Sequence, residues 1–228
     1  MSMPPRTRLL VTFVLANAVV LFVGVAVLLN RPPVLPQVHG VFLPEAHELP
    51  EFELLDHNDT LFTKREIVGR WYLVSYGFTS CPDVCPTILS DLVNVADQLA
   101  DDDSLRFVFY SVDHRRDTPL KLASYLSYFN PAFIGLTHRD GNDDRHLPFE
   151  RELGIVSKLV VDESVDPSYY EVNHGIALFL INPDAALQAV FTPSFSLEAG
   201  GSFQHQFDPD TIAGDYLKIR RYLAENVP

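Results

Sequence analysis

A continuous apolar stretch near the start of the chain sets the first constraint on how the molecule can fold. Residues 9–29, "LLVTFVLANAVVLFVGVAVLL", contain no charged side chain. At about 1.5 Å per residue, a helix of this length spans the roughly 30 Å hydrocarbon core of a bilayer. The Ala-Asn-Ala sequence at residues 16–18 resembles a signal-peptide cleavage site, but the apolar run continues well beyond it, which favours a retained anchor. The sequence therefore predicts a transmembrane segment at residues 9–29, after a short N-terminal segment at residues 1–8.

Charged residues are distributed unevenly around this segment. Arg6 and Arg8 precede it, Arg31 follows it closely, and all 30 Asp and Glu residues lie later in the chain. This bias favours a cytoplasmic N-terminus and an exported domain, as in a bacterial inner-membrane protein whose soluble domain is periplasmic. The start lacks the Arg- and Ser-rich amphipathic pattern of a mitochondrial presequence. The net charge of −13 repels nucleic acid, so we expect no nucleic-acid partner.

The sequence after the apolar segment changes composition near residue 50. Five prolines occur at residues 32–50 with little periodic pattern, and proline-rich chain extends at about 3.1 Å per residue. We therefore predict a semi-rigid tether at residues 30–50 and one folded domain at residues 51–228.

The predicted elements of this domain alternate between strands and helices. Residues 52–64 predict a strand, a polar turn and a second strand, and the aromatic run Trp71–Gly77 predicts a buried strand before a helix at residues 88–99. Further strands are predicted at residues 105–113 and 132–137 and on both sides of a turn at 182–185, with helices at 118–129, 147–153 and 208–223. This order predicts an α/β layered sheet of the thioredoxin-like type with an N-terminal β-hairpin extension.

The only two cysteines, Cys81 and Cys85, lie between a predicted strand and the helix that follows it. Pro86 has no N–H and is tolerated in a first helical turn, so we expect Pro86 at the first helical position and Cys85 as the N-cap. The partial positive charge at a helix N-terminus favours a thiolate, the form that binds metal or attacks disulfides.

Three interpretations of this pair are open. A structural disulfide across so short a loop stabilises by only about 2 kcal/mol, which explains its placement poorly. A redox couple of the thioredoxin type has two residues between its cysteines, whereas three intervene here. A structural zinc site needs four Cys or His ligands, and the chain has no second cysteine pair. Two thiolates with one imidazole suit copper.

The third ligand has to be sought among eight histidines. His174 precedes the strongest late strand, in "YYEVNHGIALFLI", and His114 follows a strand at the same sheet edge as the cysteines. The other six fall in the tether, in turns or in polar loops, where an exposed position is the simpler interpretation: His39, His47, His57, His138, His146 and His205. Spacing alone also favours a plain loop residue for His174, so the third ligand stays undetermined at this level.

Four segments follow one another along the predicted domain: "GFTSCPDVCPT", "SVDHRRDTP", "FNPAFIGLT" and "NHGIALFLINPDA". Together they resemble the successive signatures of the Sco/SenC family, whose members are membrane-anchored copper proteins of cytochrome c oxidase assembly. The resemblance runs in order through nearly the whole predicted domain. It implies that Cys81, Cys85 and His174 are copper ligands, and that Asp83 and Asp113 either support these ligands or face a partner.

Two departures from the family pattern add histidine near the expected site. The segment "VDHRRDTP" has His114 where the family more often has proline after the aspartate, and "GLTH" has His138 in place of the usual glycine. They leave the three implied ligands intact and make His114 a candidate auxiliary ligand.

The resemblance implies a metallochaperone that delivers Cu(I) or Cu(II) to the dinuclear copper site of the copper-bearing cytochrome c oxidase subunit. The alternative is a thiol-disulfide reductase that reduces the copper-ligand cysteines of that subunit. Other copper chaperones or thioredoxin-like reductants are the further partners implied, and the N-terminal helix contacts the membrane. A peroxiredoxin-like peroxidase is disfavoured, because Thr79 is only two residues before Cys81 and no proline stands at the required upstream position.

Overall fold

The computed structural model describes residues 4–29, 33–138, 144–161, 170–197 and 203–226. The chain divides into two compact units, Met1–Leu35 and Pro36–Pro228. In the first unit, helix α1 (Pro5–Leu29) contains the predicted transmembrane segment. Among the described residues it is the one helix that is long and apolar enough to cross a membrane, judged by length and composition.

The second unit is built around a mixed β-sheet. The strands of the described residues are β1 (Gly40–Glu48), β2 (Glu53–Asp56), β3 (Leu61–Thr63), β4 (Trp71–Gly77), β5 (Leu105–Ser111), β6 (Ile134–Thr137), β7 (Ser157–Val161), β8 (Tyr170–His174), β9 (Leu178–Ile181), β10 (Ala186–Phe191), β11 (Ser194–Leu197) and β12 (Phe203–Gln206). Eight of them form one sheet in the order β1-β10-β9-β4-β5-β6-β2-β3, and β7-β8 and β11-β12 form two separate hairpins. Strands β4, β5 and β6 are parallel neighbours, so their carboxyl ends lie at one edge of the sheet.

Helices cover both faces of the central strands. The helices after α1 are α2 (Lys64–Ile67), α3 (Val84–Gln98), α4 (Pro119–Ser127), α5 (Leu147–Leu153) and α6 (Pro209–Asn226). One core lies between the sheet and helices α3, α4 and α6, and the other contains α5. Phe109 and Tyr110 are adjacent in β5 and fully buried in opposite cores, as the alternation of a strand requires. The predicted α/β layered sheet is confirmed.

Two local predictions are confirmed by the hydrogen bonds that they imply. In the hairpin of β2 and β3, the backbone N–H of Asn58 donates to the Asp56 carboxylate at 2.9 Å, which is the predicted polar turn. Thr118 caps α4 by accepting from the N–H of Lys121, and Pro119 is the first helical residue.

The predicted tether is partly wrong. Residues 40–48 form β1, which pairs with β10 at the edge of the large sheet, and Leu49 is fully buried. Pro44 does not prevent this, because it falls where the pairing register of this edge strand shifts, and an edge strand with a bulge tolerates proline. His39 also belongs to the folded unit, since its backbone N–H donates to buried Asp215 at 2.6 Å. The folded unit therefore begins at residue 36 instead of 51.

Candidate metal and redox site

The two cysteines follow the carboxyl end of β4. Cys81 lies in the loop and Cys85 lies in the first turn of α3. The predicted cap is wrong: Asp83 is the N-cap, so Cys85 and Pro86 are the second and third helical residues. Pro86 is still tolerated, because the N–H groups of a first helical turn have no intrahelical acceptor.

The two sulfur atoms differ in exposure and in acidity, and both cysteines are free. Cys85 is 1% exposed, whereas Cys81 is only partly buried. A hydrogen bond from the Cys85 thiol, helped by backbone N–H groups at the start of α3, lowers the pKa of Cys81 to about 5. The same hydrogen bond, together with burial, raises the pKa of Cys85 well above its usual value. Cys81 is therefore the more acidic of the two cysteines.

His174 is the last residue of β8, and its ring lies beside the buried sulfur. Its Nε2 atom is 4.0 Å from the Sγ atom of Cys85, and its Nδ1 atom lies 2.6 Å from the carbonyl oxygen of Gly175. A carbonyl oxygen only accepts, so Nδ1 carries a proton and donates it to this bond, which leaves Nε2 as the lone-pair nitrogen of the neutral ring. The rings of Tyr76 and Phe78 flank the imidazole, with centroids at 5.5 and 5.6 Å.

The separation of Cys85 and His174 fits two ligands of one ion. Bonds of about 2.3 Å to sulfur and about 2.0 Å to imidazole nitrogen place two such atoms no more than about 4.3 Å apart. The observed 4.0 Å lies inside this limit. The sequence brings the two side chains together because β9 pairs with β4, and the segment that carries His174 leads directly into β9.

The two predicted aspartates have different surroundings. Asp83 is exposed, and its side chain makes no capping hydrogen bond. Asp113 is 1% exposed, so its carboxylate is enclosed by the domain. Its carboxylate accepts a hydrogen bond from the hydroxyl of Tyr170 at 2.6 Å and forms an ion pair with Arg116. Burial and the bond to Asp113 raise the pKa of Tyr170 to about 12.

A series of contacts connects Asp113 with the imidazole. The guanidinium of Arg116 lies 4.1 Å from the ring centroid of Tyr170, the first residue of β8, and 5.8 Å from that of Phe78. Phe78 in turn meets the His174 ring edge to face, at an interplanar angle of 87°. Asp113 thus contacts Tyr170, the first residue of β8, and His174 is the last residue of the same strand.

Asp117 is a site residue that the sequence analysis missed. It is fully buried, and its carboxylate accepts from the backbone N–H and the hydroxyl of Thr79, two residues before Cys81. The available signal was the polar pair Thr79-Ser80 in the loop after β4, because such groups need hydrogen-bond partners when the loop packs against the domain.

The remaining histidines do not join the cysteines among the contacts described. The ring of His114, the candidate auxiliary ligand, lies 3.9 Å from that of His138, which stacks on His146 at 3.6 Å. The Nδ1 atom of His57 accepts from the backbone N–H of Gly135 at 2.9 Å. His39 lies against Asp215, His47 against Glu152, and the backbone of His205 pairs with Phe195 in the hairpin of β11 and β12.

Comparison with known proteins places these features in a family. The family model described as SCO1/SenC matches residues 43–200. A putative copper-binding protein of Stutzerimonas stutzeri is 36% identical over 162 residues, which cover 70% of this chain and 76% of that protein. A mitochondrial SCO2 homologue of Danio rerio is 38% identical over 138 residues, covering 59% of this chain but only 47% of that protein.

Solved structures agree with the sequence comparison. The crystal structure of Arabidopsis thaliana ScoI with copper bound is 26% identical and superimposes with a TM-score of 0.60, covering 75% of this chain and 97% of that one. The fold of the second unit is therefore the thioredoxin-like fold of the Sco proteins. Because the family model covers more than half of the sequence, this chain belongs to the SCO1/SenC family.

Proposed function

We propose that this chain is a copper metallochaperone that holds the ion through Cys81, Cys85 and His174. The observation that carries the proposal is the 4.0 Å approach of the His174 Nε2 atom to the Cys85 sulfur, with Nδ1 already engaged by a carbonyl. Relatives support copper as the cargo, since one is described as a putative copper-binding protein and another has copper bound in its structure.

The donor set accounts for binding in both oxidation states. Two thiolates are soft ligands that suit Cu(I), and the added imidazole suits Cu(II). Cys81 is the more acidic thiol, so binding mainly requires Cys85 to lose its proton. Both sulfurs must be reduced to bind, so oxidation of the pair to a disulfide prevents loading.

The family resemblance indicates which protein would receive the copper. The chain would pass copper to the dinuclear copper site in the copper-bearing subunit of cytochrome c oxidase. Helix α1 would anchor it in the bacterial inner membrane, with residues 1–8 in the cytoplasm and the folded unit in the periplasm. Other copper chaperones would supply the ion, and thioredoxin-like reductants would keep the cysteines reduced.

Copper titration of the reduced full chain in detergent micelles tests the proposal. We expect one equivalent of Cu(II) per chain to produce a sulfur-to-copper charge-transfer band, and we expect loss of that band in Cys81→Ser and in Cys85→Ser. His174→Ala should weaken Cu(II) binding strongly and Cu(I) binding much less. His47→Ala is the control, because His47 lies on β1 beside Glu152 and contacts neither cysteine among the contacts described. Unchanged binding in all three ligand variants would refute the proposal.

A thiol-disulfide reductase is the second candidate, and the unequal acidity of the two sulfurs favours it. Cys81 is the more exposed and more acidic, so its thiolate would attack one sulfur of a target disulfide, form a mixed disulfide and release the first target thiolate. Cys85, once deprotonated, would then attack the Cys81 sulfur and release the second. The target gains two electrons, and the chain is left as the Cys81–Cys85 disulfide.

His174→Ala distinguishes the two functions. Disulfide exchange does not need the imidazole, so a reductase should keep its rate of reducing a peptide with the oxidase subunit's cysteine pair. A metallochaperone should instead lose Cu(II) transfer. Loss of the reduction rate in the Cys81→Ser variant, with the sulfur-to-copper charge-transfer band retained, would favour the reductase.

A further inference from the structure

Three imidazole rings meet at the sheet edge from which the cysteine loop also emerges. His114 follows the carboxyl end of β5, and His138 directly follows β6. His146 ends the short 3-10 turn Asp144–His146 that leads into α5. The ring centroids of His114 and His138 are 3.9 Å apart, and those of His138 and His146 are 3.6 Å apart with the planes nearly parallel.

An acidic side chain completes the group. Glu150 lies on α5, one helical turn after His146, so the two project on the same side. Potential ligand atoms of His138, His146 and Glu150 all lie within 4.8 Å of one another. All three side chains are partly buried, which limits the entropy that an ion would have to remove from them.

The hydroxyl of Tyr110 contacts two of these side chains, Glu150 and His138. It donates to the Oε1 atom of Glu150 at 2.6 Å and lies 3.3 Å from the Nδ1 atom of His138. Tyr110 is itself fully buried in β5, so these contacts are fixed to the sheet. Metal-binding histidines and carboxylates characteristically have such a hydrogen-bonded partner behind them.

We propose that His138, His146 and Glu150 form a second metal site, with His114 as a fourth donor, for a divalent first-row ion that prefers imidazole, such as Cu²⁺ or Zn²⁺. Imidazole and carboxylate donors without sulfur suit these ions and not Cu⁺. The site shares no ligand with Cys81 and Cys85, so it does not depend on the function proposed for them.

Ion binding requires the rings of His138 and His146 to move relative to each other. The nitrogen lone pairs of two parallel stacked rings lie in two separate parallel planes. Two nitrogens that each lie about 2.0 Å from one ion are about 3.3 Å apart, and their lone pairs must converge on that ion. His138 and His146 therefore tilt away from their parallel stack when the ion binds. The required displacement is small because the ligand atoms already lie within 4.8 Å.

The proposed site lies at the same edge of the sheet as the cysteine loop. Strands β4, β5 and β6 are parallel neighbours, and the cysteine loop, His114 and His138 follow them in that order. A divalent ion at the histidines would thus occupy the edge that presents Cys81 to a partner. His114 and His138, the two histidines that depart from the family pattern, both belong to this proposed site.

The test uses the untagged full chain in detergent micelles, with Cys81→Ser, Cys85→Ser and His174→Ala combined so that the cysteine site is removed. After chelator treatment, calorimetric titration with Zn²⁺ should show one equivalent per chain. Electron paramagnetic resonance with Cu²⁺ should show coordination by two or more nitrogens. Adding His138→Ala or Glu150→Gln should weaken Zn²⁺ binding at least about tenfold.

Controls separate this site from general surface binding. His47→Ala in the same background should leave Zn²⁺ affinity unchanged, because His47 pairs only with Glu152 among the acidic groups described. Glu150→Gln keeps an oxygen acceptor for Tyr110, so far-ultraviolet circular dichroism should show a native fold. Absence of stoichiometric binding in the background protein, or equal affinity in the His138→Ala and His47→Ala variants, would overturn the proposal.

Discussion

The carboxylate of Asp117 accepts two hydrogen bonds from Thr79, one from the backbone N–H at 2.7 Å and one from the hydroxyl at 2.5 Å. Ser111 and Lys121 donate to the same carboxylate at 2.7 and 3.1 Å. Because Thr79 is two residues before Cys81, the buried Asp117 side chain just before α4 holds the loop that carries the more exposed sulfur.

Asp117→Asn keeps the shape of this side chain but replaces one acceptor oxygen with a donor that faces other donors. We expect the free energy of unfolding to fall by about 2–4 kcal/mol, with a decrease in Tm of about 5–15 °C. Copper affinity should also fall at temperatures where the variant is folded. Thermal circular dichroism measures the Tm, and chelator competition measures the copper affinity. Asp97→Asn, on an exposed position of α3, is the control, and equal Tm values for the two variants would contradict the argument.

Gly77 leaves room for the buried sulfur at the end of β4. A Cβ atom at this position would lie 2.5 Å from the Sγ atom of Cys85 and 3.3 Å from the ring of Phe109. Gly77→Ala should therefore displace Cys85, destabilise the fold by about 1–3 kcal/mol and weaken copper binding. Gly214→Ala, in α6 with nothing within 4 Å of the added carbon, should be neutral or slightly stabilising. Wild-type copper affinity in the Gly77→Ala variant would show that the sulfur position is not critical.

The parts of the fold that the sequence predicts are those with local chemical signals. Thr118 and Pro119 give the start of α4, and Asp208 gives the start of α6, where its carboxylate accepts from the N–H of Thr211 at 3.2 Å. Strand β1 has no such signal, because Pro44 and the prolines on both sides of the strand indicate extended chain, and its pairing with β10 is a long-range contact. The same holds for the hairpin of β7 and β8, whose strands are short and weakly patterned.

The candidate site likewise has a part that local sequence signals predict and a part that they do not. The position of Cys81 and Cys85 at a strand-to-helix junction is local, so spacing and proline chemistry predict it apart from a shift of the N-cap from Cys85 to Asp83. His174 is 89 residues from Cys85, and only the family resemblance selected it from eight histidines. The histidine cluster depends on which strands are neighbours, which no local pattern specifies.

Tyr170→Phe tests whether Asp113 acts through β8. The substitution removes the hydroxyl that donates to Asp113 at 2.6 Å and keeps the ring that lies against Arg116. We expect a loss of about 1–3 kcal/mol of stability and a several-fold weaker affinity for Cu(II). Cu(I) affinity should change little, because β8 carries His174 but neither cysteine. Tyr128→Phe, at a residue that is 92% exposed, is the control. Equal weakening of Cu(I) and Cu(II) binding would argue against a role through the imidazole.

The acidity of Cys81 predicts a pH profile for its alkylation in the metal-free protein. Only the thiolate reacts, and its pKa is lowered to about 5, so the iodoacetamide rate should rise as pH increases through that value and level off above about pH 6. Cys85→Ala removes the thiol that donates to Cys81, so the midpoint should move upward toward the ordinary thiol value of about 8.5. Mass spectrometry of Cys81-containing peptides measures the rate at each pH. A midpoint near 8.5 in the wild-type protein would mean that the Cys85 thiol and the start of α3 do not stabilise the thiolate.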